Sequence, residues 1–122
     1  MEKSVYEHYV KKLRELCTSP DCPACRSVIL FNGKWNISVL FALCQSQPMR
    51  FGALKRAVPG ITNTMLSATL RELERIGVVG REQFNEIPPH VEYFLTESGM
   101  ALLPGFYEFA KWGDQYLHDK DL

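Results

Sequence analysis

The segment from residue 50 to residue 96 restricts the fold more than any other part of the chain. It opens with Phe51-Gly52-Ala53-Leu54-Lys55-Arg56-Ala57-Val58, a short helical stretch, followed by Pro59-Gly60-Ile61, a turn. A second helix is predicted over 62–76, where Gly77 stops it. Gln83 to Val91 then read as a hairpin around Pro88-Pro89, because two successive prolines cannot donate to a ladder and belong at a loop tip. Short helix, tight turn, second helix and proline-tipped hairpin is the order of a winged helix-turn-helix, a module that places one helix in a DNA groove.

The second helix separates into two faces at about 100° per residue. Met65, Leu66, Thr69, Leu70, Leu73 and Ile76 share the inward side, while Asn63, Thr64, Ser67, Ala68, Arg71 and Arg75 share the other. Thr62 is suited to cap the helix, since its hydroxyl can accept from an orphan N–H of the first turn. Small polar residues let a helix approach the floor of a major groove, and arginine can pair with guanine or phosphate. The predicted base-reading set is therefore Asn63, Thr64, Ser67, Ala68 and Arg71. Arg50, Lys55, Arg56, Arg75 and Arg81 are the expected phosphate anchors, and Asn85 and His90 extend the set onto the hairpin. A solvated surface helix and a plain exposed hairpin are the ordinary alternatives, and for His90 the ordinary one is favoured. In the hairpin, Val91, Tyr93 and Leu95 alternate with Glu92 and Phe94, and Met49-Arg50 is a candidate third strand.

Charge is informative only in its distribution. The 122 residues are formally neutral, yet 50–81 carry +4, 82–122 carry −6 and 1–49 carry +2. A duplex responds to the local field more than to the total. Hydrophobic content of 46% fits one globular domain with an ordinary core. The most apolar run, 37–43, is far too short to span a bilayer, and the start Met1-Glu2-Lys3-Ser4-Val5-Tyr6-Glu7 lacks an apolar export core. The expectation is a cytoplasmic chain, without membrane contact, whose thiols are normally reduced.

Around this centre, Val5, Tyr9, Leu13 and Leu16 mark a first helix over 2–16, ended by the polar linker Cys17-Thr18-Ser19-Pro20-Asp21. A short helix is predicted over 24–31, and another over 35–44 with Trp35, Val39, Leu40, Leu43 and Cys44 inward. A last helix is predicted over about 100–117, apolar on more than one face. The fold class is mainly α with a small β-hairpin wing: a single domain with an N-terminal helix and linker (1–21), a DNA-binding core (22–96) and a C-terminal dimerisation helix (97–122). Tyr9, Leu13, Leu103, Phe106, Phe109, Trp112 and Tyr116 are the expected dimer residues, the alternative being intramolecular packing of both helices.

The motif residues extend beyond this architecture. Cys22-Pro23, Gly33-Lys34-Trp35, Arg50-Phe51-Gly52-Ala53-Leu54-Lys55-Arg56 and Pro59-Gly60-Ile61-Thr62 are followed by Met65-Leu66, Leu70-Arg71-Glu72-Leu73-Glu74 and Gly77. Pro88-Pro89-His90-Val91-Glu92-Tyr93, Leu95-Thr96, Gly99 and Trp112-Gly113 complete the set. In this order and spacing the chain resembles the HxlR-type regulators of bacteria and archaea, relatives of the MarR-like winged helix proteins, over roughly 22–113. The resemblance implies a homodimeric transcription factor on a pseudo-palindromic operator, its terminal helices forming the dimer. Asn32 stands where that family usually has Gly, Ala53 where an acid is common, and Cys25 where Glu is usual.

Cys17, Cys22 and Cys25, with Cys44 later, leave several readings open. The spacing is similar to a plant-type iron–sulfur arrangement, but no glycine-rich cluster loop surrounds it. Cys22-x2-Cys25 suits zinc, although a second well-placed ligand pair is missing. The resemblance implies a third reading, oxidant or electrophile sensing at Cys22, with Cys25 as resolving partner. The fourth is inert thiols, and Cys44 is expected in the core. Sensing and inertness rank level, both above metal; no metal or cofactor is expected. His8, His90 and His118 are scattered, and no catalytic or phosphate-cradling motif is present, so an enzyme is not expected. A winged-helix module that docks protein rather than DNA remains the alternative function. It should show an apolar outward face on 62–76, and this sequence does not.

Overall fold

In a computed structural model, residues 2–18 and 22–118 are described. The chain divides into two compact units, Met1–Lys34 and Trp35–Leu122. The first holds α1 (Lys3–Leu16), α2 (Pro23–Ser27) and a 3-10 turn, Val28–Phe31. The linker expected at 17–21 lies partly outside the described residues. No residue of α1 is buried, and Val5, Tyr6, Tyr9, Leu13 and Leu16 are all exposed.

The second unit contains α3 (Asn36–Ser46), β1 (Met49–Arg50), α4 (Phe51–Ala57), α5 (Asn63–Ile76), β2 (Val79–Phe84), β3 (His90–Leu95), α6 (Glu97–Ala101) and α7 (Leu103–Tyr116). Its core is built from Val39, Leu40 and Leu43 of α3, Leu54 of α4, and Leu66, Leu70 and Leu73 of α5, each at or below 1% exposure. Burying a leucine of this kind stabilises by about 1.5–3 kcal/mol. These side chains fall on one stripe per helix, so α3 packs against α4, α5 and β3.

Local chemistry fixes both ends of α5. The Thr62 hydroxyl accepts from the Met65 N–H at 3.1 Å. At the other end Gly77 adopts φ +95°, a left-handed conformation that costs glycine little. Its N–H reaches the carbonyls of Leu73 and Glu74, and the Val78 N–H also donates to Leu73 at 3.1 Å, which satisfies carbonyls a helix end would otherwise orphan. Gly60, at φ +86°, makes the α4–α5 turn in the same way.

The antiparallel sheet has the order β1-β3-β2, with Met49 opposite Tyr93 and Arg81 opposite the same tyrosine. The hairpin strands run further back than Gln83, and Pro88 and Pro89 sit in the connecting loop, as their missing donors require. The Gln47 side-chain oxygen extends the short β1 edge by accepting from the Leu95 N–H at 2.7 Å. Below the hairpin, Thr96 caps α6, accepting from the Gly99 N–H at 3.1 Å, and its own hydroxyl donates to the Gly77 carbonyl at 2.6 Å. A Cβ at Gly99 would collide with the Val78 carbonyl, so α6 lies directly on the junction between α5 and β2.

Four expectations need correction. The last helix is broken at Leu102 into α6 and α7; Pro104 lacks an N–H and its ring opposes the carbonyl four residues back. Cys44 is exposed, not core: it lies one residue past Leu43, about 100° off the buried stripe, in the last turn of α3. Met65 is 40% exposed because burial along α5 begins only at Leu66. Phe106 is buried in its own unit, edge-on to Phe41 at 5.2 Å between ring centroids, so it is not free to join a second copy.

Candidate nucleic-acid interface

The outward face of α5 matches the sequence partition. Asn63, Thr64, Ala68, Arg71 and Arg75 are exposed and Ser67 is half-buried. The two arginines differ in their surroundings. Arg75 lies in a bidentate pair with Glu72, at 2.9 and 2.6 Å, which holds the Glu72 carboxyl below and the Arg75 guanidinium above their ordinary pKa values. Arg71 has no acidic partner among the described residues; Glu74, one turn along, pairs with Arg81 at 3.6 Å instead. The i,i+3 spacing of Glu72 and Arg75 already carried that pairing in the sequence.

Between α5 and the sheet lies a cleft of about 280 Å³, lined by Phe51, Ser67, Leu70, Arg71, Glu74, Arg81 and Tyr93. It brings together Arg71 and Arg81, two residues assigned separately to base reading and to phosphate anchoring. Phe51 and Tyr93, which shape its wall, are not among the sequence-predicted site residues; the β2–β3 register, with Arg81 opposite Tyr93, puts those two on one face. Lys55 and Arg56 are exposed in the last turn of α4, and Arg50 is exposed where β1 meets α4.

The wing is less basic than expected. Asn85 is exposed in the loop, and Ile87 beside it is fully so. His90 turns inward, with its ring stacked on Phe84 at 4.7 Å, Nε2 2.9 Å from Glu92 and Nδ1 3.7 Å from Glu86. It is thus engaged with two acids rather than reaching outward for a phosphate. Glu82 stands directly opposite Glu92 across the strands, a like-charge pair that costs stability and makes this face of the wing acidic.

The fold and sequence match a known family. The HxlR-like helix-turn-helix family model covers residues 30–121. The chain belongs to this family. It is 41% identical over 101 residues to the HTH-type transcriptional regulator YdzF of Bacillus subtilis, a match covering 83% of this chain and 93% of YdzF. Among solved structures, a MarR-family regulator from Porphyromonas gingivalis aligns with a TM-score of 0.73 at 39% identity, over 81% of this chain and 96% of that one. The diamide-treated form of YodB from B. subtilis aligns at 0.66 and 35% identity, over 82% and 99%. The chain is a transcriptional regulator with a winged helix-turn-helix domain of MarR-like form.

Two further groups of residues are not among those lining the cleft. In α7, Phe109, Trp112 and Tyr116 form a ladder of rings at 6.2 and 6.1 Å, all exposed, whereas Leu103 is half-buried. In the first unit, Cys22 is buried, Cys17 half-buried and Cys25 exposed. The Cys22 sulfur takes hydrogen bonds from the Cys17 side chain first, then from the backbone of Cys25 and Ala24 and from the Cys25 thiol. Together they hold its pKa below that of an ordinary thiol. Cys17 and Cys25 shift upward, because each donates its proton toward Cys22. No three His, Cys, Asp or Glu side chains among the described residues are arranged to hold a metal, and no single described helix is long and apolar enough to cross a membrane.

Proposed function

We propose that this regulator binds duplex DNA as a homodimer on a pseudo-palindromic operator in the cytoplasm, with α5 of each copy in a major groove. The observation that carries the reading is the outward face of α5. It is polar, its side chains are short near the N-terminus, and it carries Arg71, without an acidic partner among the described residues, beside a cleft containing Ser67 and Arg81. Asn63, Thr64, Ser67, Ala68 and Arg71 meet base edges, and Arg50, Lys55, Arg56 and Arg81 lie against phosphates. Arg75 contributes less, being already paired with Glu72. A protein-docking role would call for an apolar face here.

The dimer reading is supported by apolar side chains left uncovered on helices that carry few core residues: Tyr9 and Leu13 in α1, and Phe109, Trp112 and Tyr116 in α7. Homo-oligomers of twofold symmetry are the commonest kind. The thiol reading, in which oxidation at Cys22 changes DNA affinity, is supported by the hydrogen bonds that favour its thiolate and by the likeness to YodB, crystallised after diamide treatment.

A footprint on the region upstream of the protein's own gene, run reduced and with diamide, tests all three parts. Two protected half-sites about one helical turn apart, ~34–36 Å, are expected from a dimer. A single protected half-site refutes the dimer, no protection refutes operator binding, and an identical pattern after diamide refutes thiol control.

A further inference from the structure

A recess of about 400 Å³ opens between the wing strands, the end of α3 and α6, and none of the residues lining it is among those assigned to DNA. Strand alternation puts Glu82 of β2 with Glu92 and Phe94 of β3 on one face, the reverse of the face that carries Arg81 and Tyr93. The Phe94 ring lies across its cross-strand partner Gly80, where a Cβ would fall 2.7 Å from the ring's Cζ. Glycine at 80 is therefore what lets an aromatic platform form beside the two acids. Pro48 and Met100 extend the apolar wall. Gln47 holds that rim from both sides: its oxygen accepts from the Leu95 N–H at 2.7 Å and its nitrogen donates to the Met100 sulfur at 4.0 Å.

Charge selects what such a recess accepts. Glu82 and Glu92 stand directly opposite each other, and like charges so placed are destabilising until a cation joins them. The Glu92 carboxylate has the His90 Nε2 at 2.9 Å, whereas Glu82 has no ion-pair partner among the described residues. Arg50 faces Glu92 from β1, but no ion pair joins the two. No three His, Cys, Asp or Glu side chains among the described residues are arranged to hold a metal, so the donor set does not suit a bare metal ion. An aromatic face attracts a weakly hydrated cation, and a thioether adapts to an irregular apolar body. We propose that this recess binds a small amphipathic organic cation, an alkyl- or arylammonium ion. Its charge lies between Glu82 and Glu92, and its apolar part rests on Phe94, Pro48 and Met100. The recess has the volume of an ordinary small-molecule site. Its occupant touches both wing strands, the α3–β1 connection and α6 at once, and it shares no residue with the cleft beside α5.

Calorimetric titration of the full-length protein with benzyltrimethylammonium chloride tests the site, with benzyl alcohol and benzoate as neutral and anionic counterparts. Saturable binding of one ammonium ion per chain is expected, and none of the other two at the same concentrations. Glu82→Gln, an exposed change that keeps the shape of the side chain, should weaken binding about 5-fold. Gly80→Ala leaves every charge in place but displaces the Phe94 ring, and should weaken it roughly 2- to 5-fold. Because Gly80→Ala could also disturb the sheet, nuclear Overhauser contacts are measured in the unaltered protein, where the ammonium methyl groups should meet the Phe94 ring protons. Equal binding of benzyl alcohol, an affinity unchanged in Glu82→Gln, methyl contacts to residues outside the recess, or no saturable binding would each overturn the proposal. None of these readouts involves DNA, so the outcome is independent of whether α5 reads an operator.

Discussion

Replacing Arg71 and Arg75 separately by alanine should produce unequal losses of operator affinity, although both arginines are exposed on the same helix. Arg71 has no acidic partner among the described residues and borders the cleft with Ser67 and Arg81. Its guanidinium is available to a base edge without first breaking a contact, and a bidentate pair of that kind is worth about 1–3 kcal/mol of discrimination. At about 1.4 kcal/mol per decade, Arg71→Ala should weaken binding roughly 5- to 150-fold. The loss should concentrate on particular base pairs. Arg75 must give up part of its geometry with Glu72, at 2.6 and 2.9 Å, before it can meet a phosphate. Arg75→Ala should therefore cost less than about 1 kcal/mol, uniformly across operator variants, and lower the salt slope by ~0.9. Gel-shift titrations at several salt concentrations, on the native operator and on single-base variants, measure both. Neither change touches the core, so unfolding midpoints should hardly move. Equal losses for the two variants, or an Arg71→Ala loss indifferent to sequence, would refute the argument from pairing.

Two further outcomes follow from the same geometry. Leu70→Ala, at a side chain only 1% exposed, should destabilise by about 2–5 kcal/mol in a urea melt; a shift below 1 kcal/mol, roughly, would mean that α5 is not seated as described. Arg75 holds the Glu72 pKa below its unfolded value, so the pair stabilises above that unfolded value and its contribution fades as pH falls through the folded one. Carbon-detected NMR titration should give Glu72 a lower midpoint in the folded protein than in urea, a difference that Arg75→Ala abolishes.

The parts legible from sequence are those governed by neighbours along the chain. Thr62, Gly77 and the α4–α5 turn act through backbone groups within a few residues, and each does in the fold what its chemistry implied. The two faces of α5 follow from helical spacing alone, apart from Met65 at its first turn. What escaped depends on distant partners. Nothing local says that Phe106 meets Phe41, or that His90 stacks on Phe84 between two glutamates rather than facing outward. Cys44 was misplaced because periodicity identifies a stripe but not where neighbouring elements stop covering it. The cleft joining Arg71 to Arg81 needed the register of β2 against β3, which sequence alternation constrains only to a face.

The junction at Gly77, Val78, Thr96 and Gly99 gives α7 mechanical leverage. The end of α5, the root of the wing and the start of α6 are pinned there by three hydrogen bonds and by a glycine too close to a carbonyl to accept a side chain. Beyond α6 and the break at Leu102, α7 runs for 14 residues, about 21 Å of rod. Tilting such a rod by ~10° moves its far end by ~3.5 Å, about the rise of one base pair. In the proposed dimer on its operator, a second copy seated on Phe109, Trp112 and Tyr116 would act through this lever on the spacing of the two α5 helices, with the glycine-lined joint as the fulcrum.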